Sequence, residues 1–171
     1  MKTFLLLFSL VTTSLLLGQS GYAFAQTTTD EEAAIKAVVI RESDANARGD
    51  SQAWLDCYVD SPQTSYANTG SAGTAVYRKN FEEVKEAKKK SMEGSFKPWF
   101  TLDSSTDWNI KVGGNMAWVR HTQHFMILAT NTKLTAFDLK VLEKINGQWK
   151  ISTVAWICDF KNASPPMKST Y

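Results

Sequence analysis

The sequence predicts an α+β domain in which helices come first and a curved, mixed or antiparallel sheet follows. The last third of the chain holds four apolar, strand-like runs separated by turn residues: Gly113-Gly114, Asn131-Thr132 and Asn146-Gly147. Asn-Gly and Gly-Gly pairs accept positive φ at little cost, so they favour tight hairpins. The first half instead places its apolar residues at helical spacing. This order is typical of a sheet that wraps around helices and encloses a pocket.

The first 25 residues have the pattern of an export signal. Lys2 gives a positive start, residues 4–17 are apolar apart from Ser and Thr, and residues 23–25 are Ala-Phe-Ala, a small-x-small cleavage motif. Cleavage before Gln26 predicts a secreted or periplasmic mature protein. An uncleaved N-terminal anchor is the alternative, although the apolar run is too short to span a bilayer comfortably.

The remaining length suits one domain, which we place at residues 26–160, followed by a flexible tail at 161–171. Charge is nearly balanced, with 19 Lys and Arg against 17 Asp and Glu. We therefore expect no electrostatic attraction of nucleic acid. The sequence has no second long apolar run, so we expect no membrane contact after signal cleavage. The lysine-rich run at 85–90 follows acidic residues, so a solvated helix with a basic C-terminal end is favoured over a polyanion site.

The two cysteines, Cys57 and Cys158, allow two interpretations. In an oxidising compartment they could form a disulfide between a helix and the last strand. Alternatively, both are buried thiols that pack as small hydrophobes. We predict no metal site, because His121 and His124 share no metal-ligand spacing with either cysteine. We predict no cofactor either.

The helical half begins with an expected N-cap at Asp30 and a first helix that runs to about Arg48. Gly49-Asp50 ends this helix and starts a shorter one in the segment SQAWLDCYV, residues 51–59. The glycine supplies a conformation that side chains disfavour, and the aspartate caps the next helix.

Residues 64–67 form the first predicted strand, and a loop rich in Gly, Ser and Thr spans 68–74. Residues 78–92 form the third predicted helix, closed by Gly94. Pro98 interrupts the next stretch of chain, so the segment around Trp99 is expected to be an edge strand or an irregular lead-in to the sheet.

This order of elements resembles the nuclear transport factor 2-like superfamily, and its SnoaL-like domains most of all. The matching motifs are Gly49-Asp50 before the short helix, Tyr58-x-Asp60 after it, and Gly147-x-Trp149-x-Ile151 at the last strand. The resemblance covers residues 31–158. It implies a cone-shaped, cystatin-like roll, in which three helices close one end of a strongly bent sheet and a pocket opens at the other.

Enzymes of this superfamily generally carry out proton transfer in that pocket, and many members pair through the outer face of the sheet. Such chemistry needs a carboxylate or an imidazole beside the substrate. The acid that the isomerases place after the first strand falls on Asn68, which cannot act as a base. The last-strand histidines of many SnoaL-like relatives fall at Thr153 and Ala155. His121 is left as the candidate catalytic residue.

Strand parity predicts which side chains face the pocket. On the strand at 117–127, the more apolar face carries His121 and Gln123, so we assign that face inward. On the next strand, apolar content favours Phe137, Leu139 and Val141 inward and Asp138 and Lys140 outward. No inward carboxylate is then expected beside His121. The outer face would combine these charges with Trp118, Arg120 and Met126.

The last strand is expected to bury Trp149 and Ile151 on the same face as Leu139 and Val141. That pairing requires Gly147 in a bulge position, because a two-residue Asn-Gly turn would set Trp149 beside Lys144. With this register, Thr153 and Ala155 also point inward. The predicted ligand-binding residues are therefore Trp54, Tyr58, Tyr66, His121, Gln123, Phe137 and Thr153.

Three functions are compatible with this sequence. The first is an exported pocket domain that binds a small apolar or aromatic molecule without chemistry. The second is an acid–base enzyme (an isomerase, dehydratase or cyclase) that uses His121, with Tyr66 or Gln123 orienting the substrate. The third is a homodimeric protein-interaction module that uses the outer face of the sheet.

Overall fold

The computed structural model describes residues 20–69, 74–94, 96–158 and 160, with side chains from Thr29 onward. Most of the predicted signal segment and the predicted tail at 161–171 lie outside the described residues. The elements in chain order are α1 (Ser20–Arg48), α2 (Ser51–Leu55), β1 (Ser65–Thr69), β2 (Ala75–Arg78), α3 (Phe81–Met92), β3 (Phe100–Gly113), β4 (Met116–Ile127), β5 (Thr132–Ile145) and β6 (Gln148–Cys158).

The six strands form one mixed sheet in the order β2-β1-β6-β5-β4-β3. Strands β3 to β6 form the predicted antiparallel meander, and β1 pairs with β6 in parallel. The predicted α+β class, with three helices and a mixed sheet, is confirmed. None of the described helices has the length and apolar character that crossing a bilayer requires.

The helix boundaries follow from local capping. Gly49 has φ +72 and ends α1, and the Asp50 carboxylate caps α2 by accepting a hydrogen bond from the Ala53 amide at 2.9 Å. This junction is as predicted. Asp30 is not an N-cap, however, because α1 already begins at Ser20. Likewise α3 begins at Phe81, since Asn80 accepts from the Glu83 amide at 2.9 Å.

Two strands adjoin the segment where a loop was expected at 68–74. Asn68 and Thr69 belong to β1, and Ala75–Arg78 forms β2, a strand that the sequence did not predict. The second helix is also shorter than expected and ends at Leu55. β1 and β2 pair in antiparallel fashion at one edge of the sheet, where β1 joins the meander through β6.

The predicted bulge at Gly147 is wrong. Asn146 and Gly147 both have positive φ and form a two-residue turn, because Ile145 pairs with Gln148. The irregularity lies further along the hairpin, where Leu142 pairs with Ile151 but Val141 pairs with Thr153. Ser152 is thus the extra residue on β6, and strand parity changes there rather than at the turn.

The predicted orientation of β5, from which that bulge was deduced, is also wrong. Asp138 and Lys140 are buried at 0% and 2% exposure, whereas Phe137 is 40% exposed. Leu139 and Val141 lie half-buried on the same face as Phe137. Residues directly opposite in an antiparallel pair share a face. Inward His121 pairs with Asp138, so β4, whose face was predicted correctly, brings the charged face of β5 inward.

The main apolar core joins the sheet to α1 and α2. Trp149 and Ile151 are buried as predicted, but they pack with Leu142 rather than with Leu139 and Val141. The Trp149 indole N–H and the Lys144 ammonium both bind the carboxylate of Glu31 on α1. Other members of this core are Ile35, Val38, Val39, Ala45, Trp54, Leu55, Val84, Ala117, Val119 and Val154.

Both cysteines are buried thiols, and they are not joined to one another. Cys57 belongs to the main core and Cys158 to a second apolar cluster with Phe125, Ile127 and Phe160. The Cys57 thiol lies 3.3 Å from the Arg41 Nε that donates to it and 3.3 Å from the Ala53 carbonyl that it donates to. The packing interpretation of the cysteines therefore applies.

Candidate functional site

The concave face of the sheet and the helices enclose a cavity of about 540 Å³. This volume lies within the range of small-molecule sites. Side chains from every helix and every strand contribute to its wall, together with the segment between α3 and β3. Its aromatic lining consists of Trp54, Tyr66, Phe96, Trp99, Phe100, Phe125 and Trp156.

A buried charged cluster forms one side of the cavity. The Lys140 ammonium lies 2.6 Å from Asp138 Oδ2 and 3.6 Å from Glu42 Oε2. Burial disfavours the ionised carboxyl of Asp138, but Lys140 and His121 outweigh it and hold the pKa of Asp138 below its ordinary value. Burial likewise opposes the Lys140 charge, while Asp138 and Glu42 raise the pKa of Lys140. The Asp138–Lys140 pair is therefore ionised at neutral pH.

Tyr58 supports this cluster from behind. Its hydroxyl donates to Glu42 Oε1 at 2.9 Å, and the side chain is 4% exposed. Burial, followed by the negative charge of Glu42, raises the pKa of Tyr58 well above its ordinary value, so the hydroxyl keeps its proton and acts as a donor. Tyr58 was predicted to contact a ligand, but it instead fixes a carboxylate that does line the cavity.

His121 lies behind Asp138 and not at the cavity surface. The ring is 1% exposed, and Nε2 lies 3.1 Å from Asp138 Oδ2. This is an ion-pair distance, but the angle is not that of a hydrogen bond, and neither ring nitrogen has a hydrogen-bond partner among the described residues. The inward orientation of His121 was predicted correctly. The expectation that no carboxylate lies beside it is wrong.

A bulge in β3 encloses the imidazole on its other side. Asp107 has φ 55, and it stands with Trp108 in the irregular stretch opposite His121. The indole ring of Trp108 stacks on the imidazole, with centroids 4.3 Å apart and planes inclined by 4°. His121 could therefore influence a ligand only through Asp138. His124 lies on the opposite face, 3.1 Å from the Thr106 hydroxyl.

Gln123 is fixed within the cavity wall by two hydrogen bonds. Its amide nitrogen donates to Ser43 Oγ at 3.0 Å, and its amide oxygen accepts from the Trp156 indole at 2.7 Å. These bonds determine which end of the amide faces which neighbour. Gln123 was predicted as a pocket residue, and it does line the cavity.

Three cations line the cavity: Lys88 and Lys90 on α3, and Arg78 at the end of β2. The Lys88 ammonium donates to Asn46 Oδ1 at 2.5 Å and lies 4.2 Å from the centre of the Trp54 ring. Burial lowers the pKa of Lys88 to about 8; Glu42 opposes this shift, and Arg78 and Lys140 add to it. No described carboxylate forms an ion pair with any of these three cations.

The predicted site residues divide into three groups. Trp54, Tyr66 and Gln123 line the cavity, whereas Tyr58 and His121 lie buried behind it. Phe137 and Thr153 were expected to face the interior, and this expectation is wrong. Both lie on the other face of the sheet, because β5 has the opposite orientation and the Ser152 bulge reverses the parity of the residues after it, Ala155 included.

The sequence analysis missed Glu42, Asp138, Lys140 and Lys88 as cavity residues. Lys88 had a usable signal, since it follows the buried Val84 by one helical turn and therefore shares its face. Asn68, the position at which the sequence resemblance places the acid of the isomerases, lines the cavity. Its Oδ1 atom, Asp138 Oδ1 and Trp54 Nε1 are buried without a hydrogen-bond partner among the described residues.

The described part of the chain holds no group of three or more His, Cys, Asp or Glu side chains arranged to bind a metal ion. The polar atoms of the cavity are suited to hydrogen bonds and ion pairs with an organic molecule.

Solved structures share this architecture, which is the nuclear transport factor 2-like, cystatin-like fold. A nuclear transport factor 2-like protein from Pseudomonas putida is 13% identical over 82% of this chain and 94% of its own, with a TM-score of 0.64. A cystatin-like protein from Nostoc punctiforme is 17% identical over 80% of this chain and 95% of its own, with a TM-score of 0.60. The fold expected from the sequence resemblance is confirmed.

A third similar structure is a candidate scytalone dehydratase from Novosphingobium aromaticivorans. It is 14% identical over 79% of this chain and 88% of its own, with a TM-score of 0.62. The chain matches no family profile and no curated protein sequence. At these identities the likeness establishes the fold and does not establish an activity.

Proposed function

We propose that this protein, a domain of the nuclear transport factor 2-like fold, binds a small, largely aromatic or apolar molecule in its cavity. The observation that carries the proposal is the aromatic lining of a space of about 540 Å³. Aromatic walls with a few fixed polar groups are typical of small-molecule sites. Trp156 and Gln123 combine both features, because the indole packs in the wall and holds the amide in place.

A neutral aromatic probe tests this proposal. We expect 2-naphthamide to bind to the purified protein with a Kd in the micromolar to millimolar range, measured by tryptophan fluorescence and by shifts of the Trp156 indole resonance. Ala87 lines the cavity from α3, so Ala87→Trp should fill the space and abolish binding. Glu86→Trp is the matched control, since Glu86 is exposed on the same helix. Equal binding by both variants would contradict the proposal.

Acid–base chemistry is the second candidate function, and Asp138 is the observation that favours it. One oxygen of this carboxylate has no hydrogen-bond partner among the described residues, and an imidazole stands behind it. Among proteins of similar fold, some are described as candidate dehydratases. We place this function second because the lowered pKa of Asp138 makes it a weak base.

The acid–base candidate is testable with a ketone that carries acidic α-protons. If Asp138 removes such a proton, 2-tetralone in D₂O should gain deuterium at its α-carbon faster with the wild-type protein than with Asp138→Asn. Equal rates, at concentrations where tetralone occupies the cavity, would leave the protein as a binding domain.

We also propose that two copies associate through the outer face of the sheet, as the sequence resemblance implies. This face exposes Trp118, Phe137 and Ile157, and Phe137 pairs directly with Ile157. Contiguous exposed apolar side chains of this kind mark interaction surfaces. Asp138 and Lys140, which were expected on this face, are not part of it. The surface is therefore more apolar than predicted.

Sedimentation velocity tests this association. Ile157→Lys should shift a micromolar sample from dimer to monomer, because it buries a charge without a partner. Ile40→Lys introduces the same change at an exposed isoleucine of α1 and should leave the dimer intact. A wild-type protein that sediments as a monomer at well above micromolar concentration would refute the proposal.

Export to the periplasm or the medium completes the proposed function, and it is supported by the signal pattern in the first 25 residues. Glu31 and Ile35 of α1 contact the sheet, and cleavage before Gln26 leaves both residues in place. Mass spectrometry of the exported protein should find Gln26 at the N-terminus. An intact N-terminus would contradict this expectation.

A further inference from the structure

One part of the cavity wall carries positive charge that has no ion-pair partner in the described part of the protein. Arg78 and Lys88 are half-buried, and Lys90 is exposed. The chain as a whole is close to neutral. Lys140 has two carboxylate partners, and Lys85 and Lys144 have one each, whereas the half-buried Lys36 and Lys150 have none among the described residues. The cations of the cavity wall are therefore distinctive because three of them line one cavity, and not because the chain is basic.

Lys88 is the most informative of these cations. Its ammonium is held by a neutral amide, Asn46, and by the face of the Trp54 ring. Both contacts orient the group, but neither supplies a counter-charge. The charged groups that face it are Glu42 from α1, Arg78 from β2 and Lys140 from β5. Glu42 is already bound by Lys140 and by the Tyr58 hydroxyl.

Removing a cation from water without a counter-charge is unfavourable. A negatively charged ligand would supply the missing counter-charge, and two cations on the wall of an aromatic cavity suit an amphipathic anion. The charge balance indicates how many negative charges that anion carries. Lys90 is exposed and is left out of this balance because solvent screens its charge. The half-buried Arg78 and Lys88 contribute two positive charges, and Glu42, Asp138 and Lys140 together have a formal charge of one negative. A single negative charge on the ligand would neutralise the site.

We propose that the ligand is an aromatic or apolar monocarboxylate whose carboxylate binds between Lys88 and Arg78 while its body lies in the aromatic cavity. This inference rests on the proposed function and specifies the chemical class of its ligand. The planar guanidinium of Arg78 suits two parallel hydrogen bonds to a carboxylate. Asn68, with an Oδ1 that is buried without a partner among the described residues, lies on the same lining and offers its amide to polar substituents of the body.

Two probes of nearly the same shape, one charged and one neutral, test the preference for a carboxylate separately from the binding of an aromatic molecule. We expect the wild-type protein at pH 7 to bind 2-naphthoate about tenfold or more tightly than 2-naphthamide, because hydrogen bonds to charged groups are the stronger ones. Equal affinity for the two probes would overturn the carboxylate inference and leave the binding function standing. If neither probe binds, both are overturned.

Matched lysine variants test the position of the carboxylate. Lys88→Gln should reduce the preference for naphthoate over naphthamide about tenfold, whereas Lys89→Gln should leave it unchanged. The two variants change the same charge on adjacent residues of α3, but Lys89 is exposed and does not line the cavity. Equal reductions in both would indicate general electrostatic attraction and would refute the site. Thermal unfolding of each variant shows whether it is folded.

The pH dependence of binding gives an independent readout. The free protein loses the Lys88 proton near pH 8, and a bound carboxylate would hold that proton to higher pH. The affinity for naphthoate should therefore be constant between about pH 6 and 8, where the carboxylate is ionised and Lys88 is protonated, and fall by up to about tenfold per unit above pH 8. The affinity for naphthamide should not follow this curve, and the naphthoate curve should flatten in Lys88→Gln. A naphthoate affinity that is constant to pH 10 would contradict the inference.

Discussion

The interior of this domain has two parts that the same strands build in opposite ways. At one end, Val119, Leu142 and Ile151 from β4, β5 and β6 pack against α1 in an apolar cluster. Further along, the inward positions of β4 and β5 carry Gln123, Asp138 and Lys140, and a cavity opens beside them. The first part is an apolar core, and the second contains ionised side chains that are paired with one another. An inward position on a strand thus predicts that a side chain is buried, but it does not predict whether that side chain is apolar or polar.

The contributions of the two parts to stability can be compared by replacing one side chain in each. Trp149→Ala in the apolar part should lower the free energy of unfolding by about 3–5 kcal/mol, because it leaves a cavity and frees Glu31 from the indole donor. Urea denaturation measures the loss. A loss below about 1 kcal/mol would mean that the two parts do not differ in how they contribute to stability.

In the polar part, Asp138→Asn should cost about 3 kcal/mol, because Lys140 then keeps only the more distant Glu42 as a partner. Asp103→Asn, at an exposed position of β3, is the control and should change little. If Asp138→Asn proves harmless, the cluster contributes no net stability. Replacing the three charged groups together, as Glu42→Gln, Asp138→Leu and Lys140→Met, should recover part of the loss, since no unpaired charge of the cluster is left.

The stability of Asp138→Asn relative to the wild type should depend on pH in the acid range. The pKa of Asp138 is lowered in the folded protein, so its contribution is present above the ordinary aspartate value of 3.8 and is lost as the pH falls through the folded value. The difference in stability between wild type and Asp138→Asn should therefore shrink below pH 3.8. A difference that does not depend on pH would show that the variant acts through packing.

Replacing Lys88 should have the smallest effect on stability, and it should stabilise the protein rather than destabilise it. The pKa of Lys88 is lowered to about 8 from 10.5, so the folded state disfavours the charge, and stability should rise with pH between these values. Lys88→Met should consequently raise the free energy of unfolding at pH 7 by about 1 kcal/mol, after the lost contacts with Asn46 and Trp54 are subtracted. The variant should show no such rise between pH 8 and 10.5. A destabilised variant would mean that Lys88 is a structural residue.

Features that depend on local chemistry were predictable from the sequence. Gly49-Asp50 ends one helix and caps the next through contacts within a few residues. The hairpin at Asn146-Gly147 was predicted as well, but with a bulge at Gly147 in place of the two-residue turn that forms. The inward face of β4 was also correct, because it is apolar on one side. β2 was missed since Ala75–Arg78 is short, and its stability depends on pairing with β1 and not on its own pattern.

The residues of the candidate site were predictable only where the type of side chain, or the apolar face of its strand, indicated that the side chain is buried. Trp54, Tyr66 and Gln123 were assigned to the cavity correctly. Asp138 and Lys140 were not, because apolar content placed them outside, and only cross-strand pairing with His121 and Val119 shows otherwise. The same assignment put Phe137 on the wrong face, and the bulge expected at Gly147, which lies at Ser152, put Thr153 on the wrong face. Register is a long-range property that periodicity within one strand does not contain.

Gly49 has a consequence beyond the end of a helix. A β-carbon at this position would lie 2.1 Å from the ring of Phe96, so the aromatic ring rests against bare backbone. Phe96 lines the cavity. The shape of the cavity wall at Phe96 therefore depends partly on a side chain that is absent from the α1–α2 junction, almost fifty residues earlier. A smaller side chain at position 96 would enlarge the cavity, whereas any side chain at position 49 would force the Phe96 ring to move, so this part of the cavity is easier to enlarge than to rebuild.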